Sequence, residues 1–87
     1  MSRISFAEIA WEDYLYWQGQ DKKTLRKINA LLKDVLRHPF SGLGQPEPLK
    51  NDARAWSRRI NAKDRLVYVP TEETILVLQC KGHYDDK

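Results

Sequence analysis

The chain has 87 residues, of which 41% are hydrophobic and 31% charged, and a formal net charge of +3. A chain of this length forms one domain with a thin core, so any active site has to lie on an open face. The composition excludes a disordered chain, the single cysteine excludes an internal disulfide, and no stretch approaches the ~18 apolar residues of a membrane span. We therefore expect a soluble protein of the cytoplasm.

The charges are distributed unevenly along the chain. Residues 22–37 carry a net charge of +5 and residues 50–65 of +4, whereas residues 1–21 carry −3 and residues 66–87 carry −2. Either basic segment alone would be ordinary solvated surface. Two separated basic segments on so small a domain favour a polyanionic partner, nucleic acid in particular.

The N-terminal segment predicts a short strand followed by a helix. The strand is expected over residues 3–6. Ser5 and Glu8 have the spacing of a capping box, which would start the helix near Ala7, and Gly19 is expected to end it. The predicted apolar face of this helix consists of Trp11, Tyr14 and Leu15.

A second helix is predicted between Asp21 and His38. Asp21 is a suitable N-cap, and His38 precedes Pro39, a position that disfavours the helical conformation. We interpret His38 as a residue that compensates the helix dipole or faces solvent. Apolar residues recur at three- and four-residue steps, as is typical of an amphipathic helix: Leu25, Ile28, Leu32, Val35 and Leu36.

The C-terminal half predicts strands. Residues 39–49 contain three prolines and two glycines and are expected to form a loop. Strands are then expected over 56–60, 66–69 and 74–78, the last of them central because its apolar run has no polar interruption. Two helices followed by antiparallel strands indicate an α+β domain.

Glu47 is the first candidate for chemistry. It lies between Pro46 and Pro48, which fix their own φ and restrict the residue before them, so Glu47 is predicted to be extended on a rigid segment. A general base needs such positioning. Taken alone, an exposed loop glutamate between two prolines is the simpler interpretation.

Three arginines flank a predicted turn. Neighbours on a strand point to opposite faces, so Arg58 and Arg59 cannot both serve one site. If residue 59 pairs with residue 65, Arg59 and Arg65 stand side by side and can bind a phosphate; if residue 60 pairs with 65, they do not. The sequence leaves this register open. Surface arginines balanced by Glu47 or Asp64 are the alternative.

His83 is the candidate acid, because the ordinary pKa of histidine, about 6.5, suits proton transfer near neutrality. The alternative is a histidine near the C-terminus with no role. A carboxylate base, an arginine pair and an imidazole acid are the parts that RNA cleavage by its own 2′-OH requires. One cysteine and two distant histidines offer no zinc pattern, so no metal or other cofactor is expected. We assign Cys80 and Trp56 to the core.

Five segments have a distinctive sequence and follow one another in a fixed order: 11–17 (WEDYLYW), 39–50 (PFSGLGQPEPLK), 56–60 (WSRRI), 65–68 (RLVY) and 83–84 (HY). Together they resemble the YoeB/Txe toxins of the RelE-like superfamily of bacterial toxin–antitoxin systems. Residues 51–55 are about one residue shorter than the usual pattern, and three residues follow Tyr84, where the family commonly ends.

The resemblance implies a microbial-ribonuclease-like α+β fold, with two N-terminal helices packed on an antiparallel sheet. It implies a single toxin domain over residues 1–84, followed by a short extension over 85–87. The implied activity is a metal-independent endoribonuclease that cuts mRNA in the ribosomal A site. The implied partners are a YefM/Axe-type antitoxin and a second copy of the chain.

The same resemblance assigns roles to individual residues. Glu47 corresponds to the general base, His83 to the general acid and Arg65 to the arginine that stabilises the phosphate. Supporting or RNA-binding roles fall to Lys50, Arg59 and Tyr84. The basic second helix becomes a contact for ribosomal RNA. Tyr16 and Trp17 are assigned either to the core or to a dimer or antitoxin surface.

Two rival interpretations remain at this point. One is a non-enzymatic inhibitor of the same superfamily, such as the gyrase-binding ParE-like toxins, which lack the pair of Glu47 and His83. The other is a plain RNA- or ribosome-binding module in which Glu47 is idle. Glu47→Ala separates them, since it should abolish cleavage while ribosome binding persists.

Overall fold

A computed structural model of the protein describes residues 3–82. Two helices pack on one face of a five-stranded sheet, so the predicted α+β class is confirmed. No helix within the described range is long and apolar enough to cross a membrane. The elements in chain order are β1 (Arg3–Phe6), α1 (Glu8–Gln20), α2 (Lys22–Arg37), β2 (Glu47–Pro48), β3 (Trp56–Arg59), β4 (Arg65–Pro70) and β5 (Thr74–Gln79).

The sheet is mixed rather than wholly antiparallel. Its strand order is β1-β5-β4-β3-β2, and the four C-terminal strands pair antiparallel with one another. The sequence predicted three of these strands, β3, β4 and β5, but not β2. β1 instead runs parallel to β5, with Ile4 opposite Ile75. No local turn joins these two strands, so the sequence pattern carries no signal for the direction of β1.

The main core lies between the helices and one face of the sheet. Its buried members are Ala10, Trp17, Ile28, Leu31, Leu32, Val35, Ile60, Leu66, Tyr68, Ile75, Val77 and Cys80. A smaller apolar group, which includes no helical residue, lies on the other face and is built on Leu49, Ala55 and Val67. We call this second side of the sheet the open face.

The boundaries of α2 follow the predicted signals. The Asp21 carboxylate accepts hydrogen bonds from the backbone N–H groups of Lys23 and Thr24, each at 3.1 Å. Its bond with the Thr24 hydroxyl, 2.7 Å long, is the main reason that the pKa of Asp21 is lowered. The helix ends at Arg37, with His38 as the C-cap, as the following proline predicts.

α1 differs from the prediction. Ser5 lies in β1 and the N-cap Ala7 makes no side-chain hydrogen bond, so the expected capping box does not form. The helix does not end at Gly19 but continues to Gln20, and Asp21 then caps the start of α2. The predicted face is also wrong, since α1 is apolar on several sides. Ala10 and Trp17 are buried and Tyr14 is half-buried, whereas Trp11 and Leu15 are exposed.

Candidate active site

The pairing of β3 with β4 decides which arginines share a face. Arg59 lies opposite Arg65, and Ser57 lies opposite Val67. Of the two registers that the sequence left open, the structure therefore has the one that places Arg59 and Arg65 side by side on the open face. Arg58 projects to the helix-covered face, as the alternation of strand residues predicts.

Glu47 lies in a short edge strand within the segment that was expected to be a loop. It pairs with Ser57, and the Leu49 N–H donates to the Ala55 carbonyl at 2.9 Å. Pro48 is tolerated here because an edge strand does not need every N–H for its ladder. Because directly paired residues share a face, Glu47 stands on the open face with Ser57 and Arg59.

The side chains of Glu47 and Arg65 are in contact. Arg65 Nη1 lies 3.5 Å from Glu47 Oε1 and donates to Ser57 Oγ at 3.3 Å. The Arg65 side chain is 20% exposed and that of Glu47 is 63% exposed. The site therefore combines a carboxylate that solvent and a substrate can reach with a guanidinium that a buried hydroxyl helps to orient.

The end of the described chain is attached to the same region. The Arg65 N–H donates to the Gly82 carbonyl at 2.9 Å, and the Gly82 N–H donates to Asp64 Oδ1 at 2.7 Å. Two residues earlier, the Cys80 carbonyl accepts the indole N–H of Trp17 at 2.8 Å. The backbone up to Gly82 is thus fixed beside the start of β4. His83 and Tyr84 lie outside the described residues.

Of the predicted supporting residues, Arg59 and Lys50 are both exposed. Arg59 follows Ser57 on the open face, and its backbone N–H donates to the Gly44 carbonyl at 2.7 Å. Lys50 lies two residues after the end of β2. Both cations therefore lie on segments adjacent to Glu47.

The structure shows which of the aromatic residues and the cysteine belong to the core and which lie at the surface. Trp17 is 8% exposed and belongs to the core, whereas Tyr16 is 45% exposed, with Lys81 Nζ 4.4 Å from its ring centre. Cys80 is fully buried, and burial raises the pKa of its thiol to about 12, so its assignment to the core is confirmed. Trp56 is half-buried at the edge of the core.

Sequence reasoning missed two residues of the site. Ser57 is 3% exposed and accepts a hydrogen bond from Arg65. It could have been identified from the sequence, because residues 57 and 59 of one strand point to the same face. Asp64 was considered only as a counter-ion. Its hydrogen bond to the Gly82 backbone joins residues 18 positions apart, and no local pattern indicates such a contact.

Comparisons with known proteins agree with this architecture. Residues 6–84 match the family described as YoeB-like toxin of bacterial type II toxin–antitoxin system. Toxin YoeB of Synechocystis sp. is 49% identical over 83 residues, which cover 94% of this chain and 96% of that protein.

Two solved structures from Staphylococcus aureus are also similar. The YoeB dimer gives a TM-score of 0.90 at 46% identity and covers 95% of this chain and 98% of that one. The heterotetrameric YoeB–YefM toxin–antitoxin complex gives 0.87 at 44% identity, covering 97% and 99%. The fold is thus that of the RelE-like toxins. Within that class, the chain belongs to the YoeB-like family of toxins of bacterial type II toxin–antitoxin systems.

Proposed function

We propose that this toxin is a ribonuclease that cuts messenger RNA in the ribosomal A site and so halts translation. The observation that carries the proposal is the contact between Glu47 and Arg65, which brings a solvent-accessible carboxylate and a guanidinium within 3.5 Å on the open face. A carboxylate can accept a proton and a guanidinium can bind a phosphate, so one scissile linkage can engage both groups.

In the proposed reaction Glu47 accepts the proton of a 2′-OH, and the 2′ oxygen attacks the adjacent phosphorus. The bond from O2′ to phosphorus forms, the bond from phosphorus to O5′ breaks, and His83 donates a proton to the departing 5′ oxygen. The products are a 2′,3′-cyclic phosphate and a 5′-OH. Arg65 stabilises the charge on the pentacoordinate phosphorus, with Arg59 and Lys50 as further cations.

The course of the chain supports the role proposed for His83. Gly82, its neighbour, is hydrogen-bonded to Asp64 and Arg65 at the start of β4. His83 is the next residue in the sequence, so the attachment of Gly82 beside Arg65 supports its proposed role as the acid. Tyr84, the next residue, is proposed to help place the substrate.

The candidate site is exposed, so it suits an RNA substrate that the ribosome holds in position. Glu47 is largely exposed, so the domain by itself offers little to orient an RNA strand. A ribosome that holds the mRNA supplies the orientation that the site lacks. We assign the outward face of α2 to contacts with ribosomal RNA phosphates. Its exposed basic side chains are Lys22, Lys23, Arg26, Lys27, Lys33 and Arg37.

The partners of relatives extend the proposal to regulation. The S. aureus proteins are described as a YoeB dimer and as a heterotetramer of YoeB with YefM. We propose a YefM/Axe-type antitoxin as the cognate inhibitor, and self-association of this chain. The net charge of +3 favours an acidic segment as the part of the antitoxin that binds.

The decisive experiment is primer extension on mRNA translated in vitro, with Glu47→Gln beside the unmodified protein. The amide keeps the shape of the side chain but is too weak a base to accept the proton, so cleavage is expected to fall by about 10²- to 10⁴-fold. Binding to ribosomes should persist. Glu73→Gln is the matched control, because Glu73 is exposed in the turn between β4 and β5.

The opposing outcomes are specific. Cleavage that is unchanged in Glu47→Gln removes Glu47 from the mechanism. Loss of ribosome binding in that variant would instead make Glu47 a residue that binds the ribosome, with no role in proton transfer. A cut on a minimal RNA that EDTA abolishes would contradict the proposal that side chains alone carry out the proton transfers.

A further inference from the structure

Arg58 projects from β3 to the face opposite the candidate site and is fully buried. A guanidinium has five N–H donors, and the structure provides five acceptors for them. Nε donates to the Tyr68 hydroxyl at 3.1 Å. The remaining acceptors are Asp34 Oδ2 at 2.6 Å and the Leu43 carbonyl at 3.0 Å, both bound by Nη1, and the carbonyls of Ser41 (2.8 Å) and His38, both bound by Nη2.

Three of these acceptors are backbone carbonyls of a single loop, residues 38–44. The other two side chains bind the same loop: Tyr68 donates to the Pro39 carbonyl at 2.7 Å, and Asp34 accepts from the Leu43 N–H at 2.9 Å. We call Arg58, Asp34 and Tyr68 the Arg58 clamp. A lysine could not replace Arg58 in it, because an ammonium has only three donors.

The glycines of the loop allow it to approach the clamp closely. Gly42 has a φ of 106°, and a Cβ at this position would overlap the Asp34 carboxylate. Gly44 has a φ of 80°, and a Cβ there would lie 3.1 Å from Arg58 Cβ. Both the backbone conformation and the available space therefore require glycine. The loop and the clamp form one fitted contact.

The loop leads directly to Glu47. The Gly44 carbonyl accepts the Arg59 N–H at 2.7 Å, and Gln45 then takes a left-handed φ of 55° before Pro46. β2 has only two residues, so its own ladder provides few bonds to fix where Glu47 enters the sheet. The chain is instead fixed three residues earlier, at the end of the clamped loop.

We propose that Arg58 is a positioning residue for Glu47: by holding loop 38–44 it sets the distance between the Glu47 carboxylate and Arg65. This inference rests on the proposed function, in which Glu47 is the general base. A misplacement of about 1 Å can cost ~10²-fold in rate. Release of the loop therefore slows the cleavage of bound mRNA without weakening the binding of the ribosome.

Gly42→Ala tests the clamp without removing Arg58, and Gly19→Ala is its matched control. Gly19 lies in a helix, and within residues 3–82 no atom outside the adjacent helix backbone comes within 4 Å of a Cβ at this position. At saturating programmed ribosomes we expect Gly42→Ala to cleave about 10- to 100-fold more slowly and Gly19→Ala to cleave normally. The half-saturating ribosome concentration should change by less than about twofold in either variant. Equal cleavage rates in the two variants overturn the proposal.

A double-mutant cycle of Arg58→Ala with Glu47→Gln tests the route of the effect. If Arg58 acts through Glu47, Arg58→Ala lowers the rate about 10- to 100-fold with Glu47 present and has little effect in the Glu47→Gln background. Losses that multiply overturn the positioning role. Full activity of Glu47→Gln alone overturns the proposed function instead, so the two failures are distinguishable.

Circular dichroism and NMR spectra of the backbone amides establish which of these variants are folded. If Arg58→Ala does not fold, Gly42→Ala takes its place in the cycle, with the same expected result and the same opposing one.

Discussion

Arg58 and Arg65 show how two faces of one sheet use the same residue type differently. Arg58 is fully buried beneath the helices, and its five donors are all engaged by protein acceptors. Arg65 is on the adjacent strand but on the open face, where it is 20% exposed and contacts Glu47 and Ser57. A guanidinium engaged completely by its own protein stabilises a loop, whereas one at a solvent-accessible edge is able to bind a phosphate. The face of the strand, rather than the residue type, decides between the two roles.

The largest expected effect on stability is that of Arg58→Met. It removes the donor of five hydrogen bonds, among them those to Asp34 and to three loop carbonyls, and the loss of even one hydrogen bond made by a charged group costs about 1.5–3 kcal/mol in free energy of unfolding. Urea denaturation measures the loss. The matched control is Arg59→Met, the next residue on the strand, which is exposed and should change stability by about 0.5 kcal/mol at most. Similar losses for the two variants would contradict the contrast between the faces.

Arg65→Met should have the reverse signature. The loss of one group that stabilises the transition state lowers the rate of cleavage by about 10²- to 10³-fold. The free energy of unfolding should change by only about 1 kcal/mol, because the side chain is partly exposed. Single-turnover cleavage on programmed ribosomes measures the rate. Arg54→Met, at a site that is 82% exposed, is the control and should cleave normally. A normal rate for bound mRNA in Arg65→Met would make Arg65 a binding cation only.

In the helix-covered half of the molecule, α2 was predictable, whereas the buried face and both ends of α1 were not. The recurrence of apolar residues in α2 identifies its buried side because helix periodicity is a local property. The burial of Arg58 was not predictable in this way. An arginine in a strand is ordinarily predicted to be exposed. Arg58 can be buried only because a loop about 20 residues earlier in the sequence provides acceptors for its side chain.

The sequence identified the residues of the open face but not which of their side chains are in contact. Two flanking prolines correctly predict that Glu47 is extended. Its contact with Arg65 depends on the pairing of three strands, and a shift of one residue would have moved Arg59 or Arg65 to the other face. The roles of Glu47, Arg65 and His83 in catalysis stay predictions that the experiments above test.

The stability that the Arg58 clamp contributes should depend on pH, because Asp34 is ionisable. Its hydrogen bond from Arg58, followed by that from the Leu43 N–H, lowers the pKa of its carboxyl below 3.8 in the folded protein. A carboxyl whose pKa is lower when folded stabilises the fold above its unfolded pKa, and this contribution is lost as the pH falls through the folded value. The difference in free energy of unfolding between the unmodified protein and Asp34→Asn should therefore be largest at neutral pH and shrink below about pH 4.

Asp21 provides the control for this measurement, because hydrogen bonds from Thr24 also lower the pKa of Asp21, at the start of α2 and away from the loop. Asp21→Asn should show an acid-dependent stability loss of the same sign but cleave mRNA normally, whereas Asp34→Asn should lose both stability and cleavage rate. Normal cleavage by Asp34→Asn would separate the carboxylate from the positioning of Glu47. Urea unfolding from pH 2 to 7, with cleavage assays at neutral pH, measures both.

The smallest predicted effect concerns Ser57, whose buried hydroxyl is the open-face counterpart of the clamp. It offers Arg65 one hydrogen bond of 3.3 Å, where Arg58 has five acceptors. Ser57→Ala should lower the rate of cleavage by about fivefold to tenfold, since a hydrogen bond contributes about 1 kcal/mol net. Ribosome binding should not change, because the charge of Arg65 remains in place. Ser41→Ala is the matched control: Ser41 is exposed and gives the clamp only its backbone carbonyl, so its side chain is dispensable. A loss as large as that of Arg65→Met would mean that the hydroxyl itself touches the substrate, and no loss would mean that Glu47 alone orients the guanidinium.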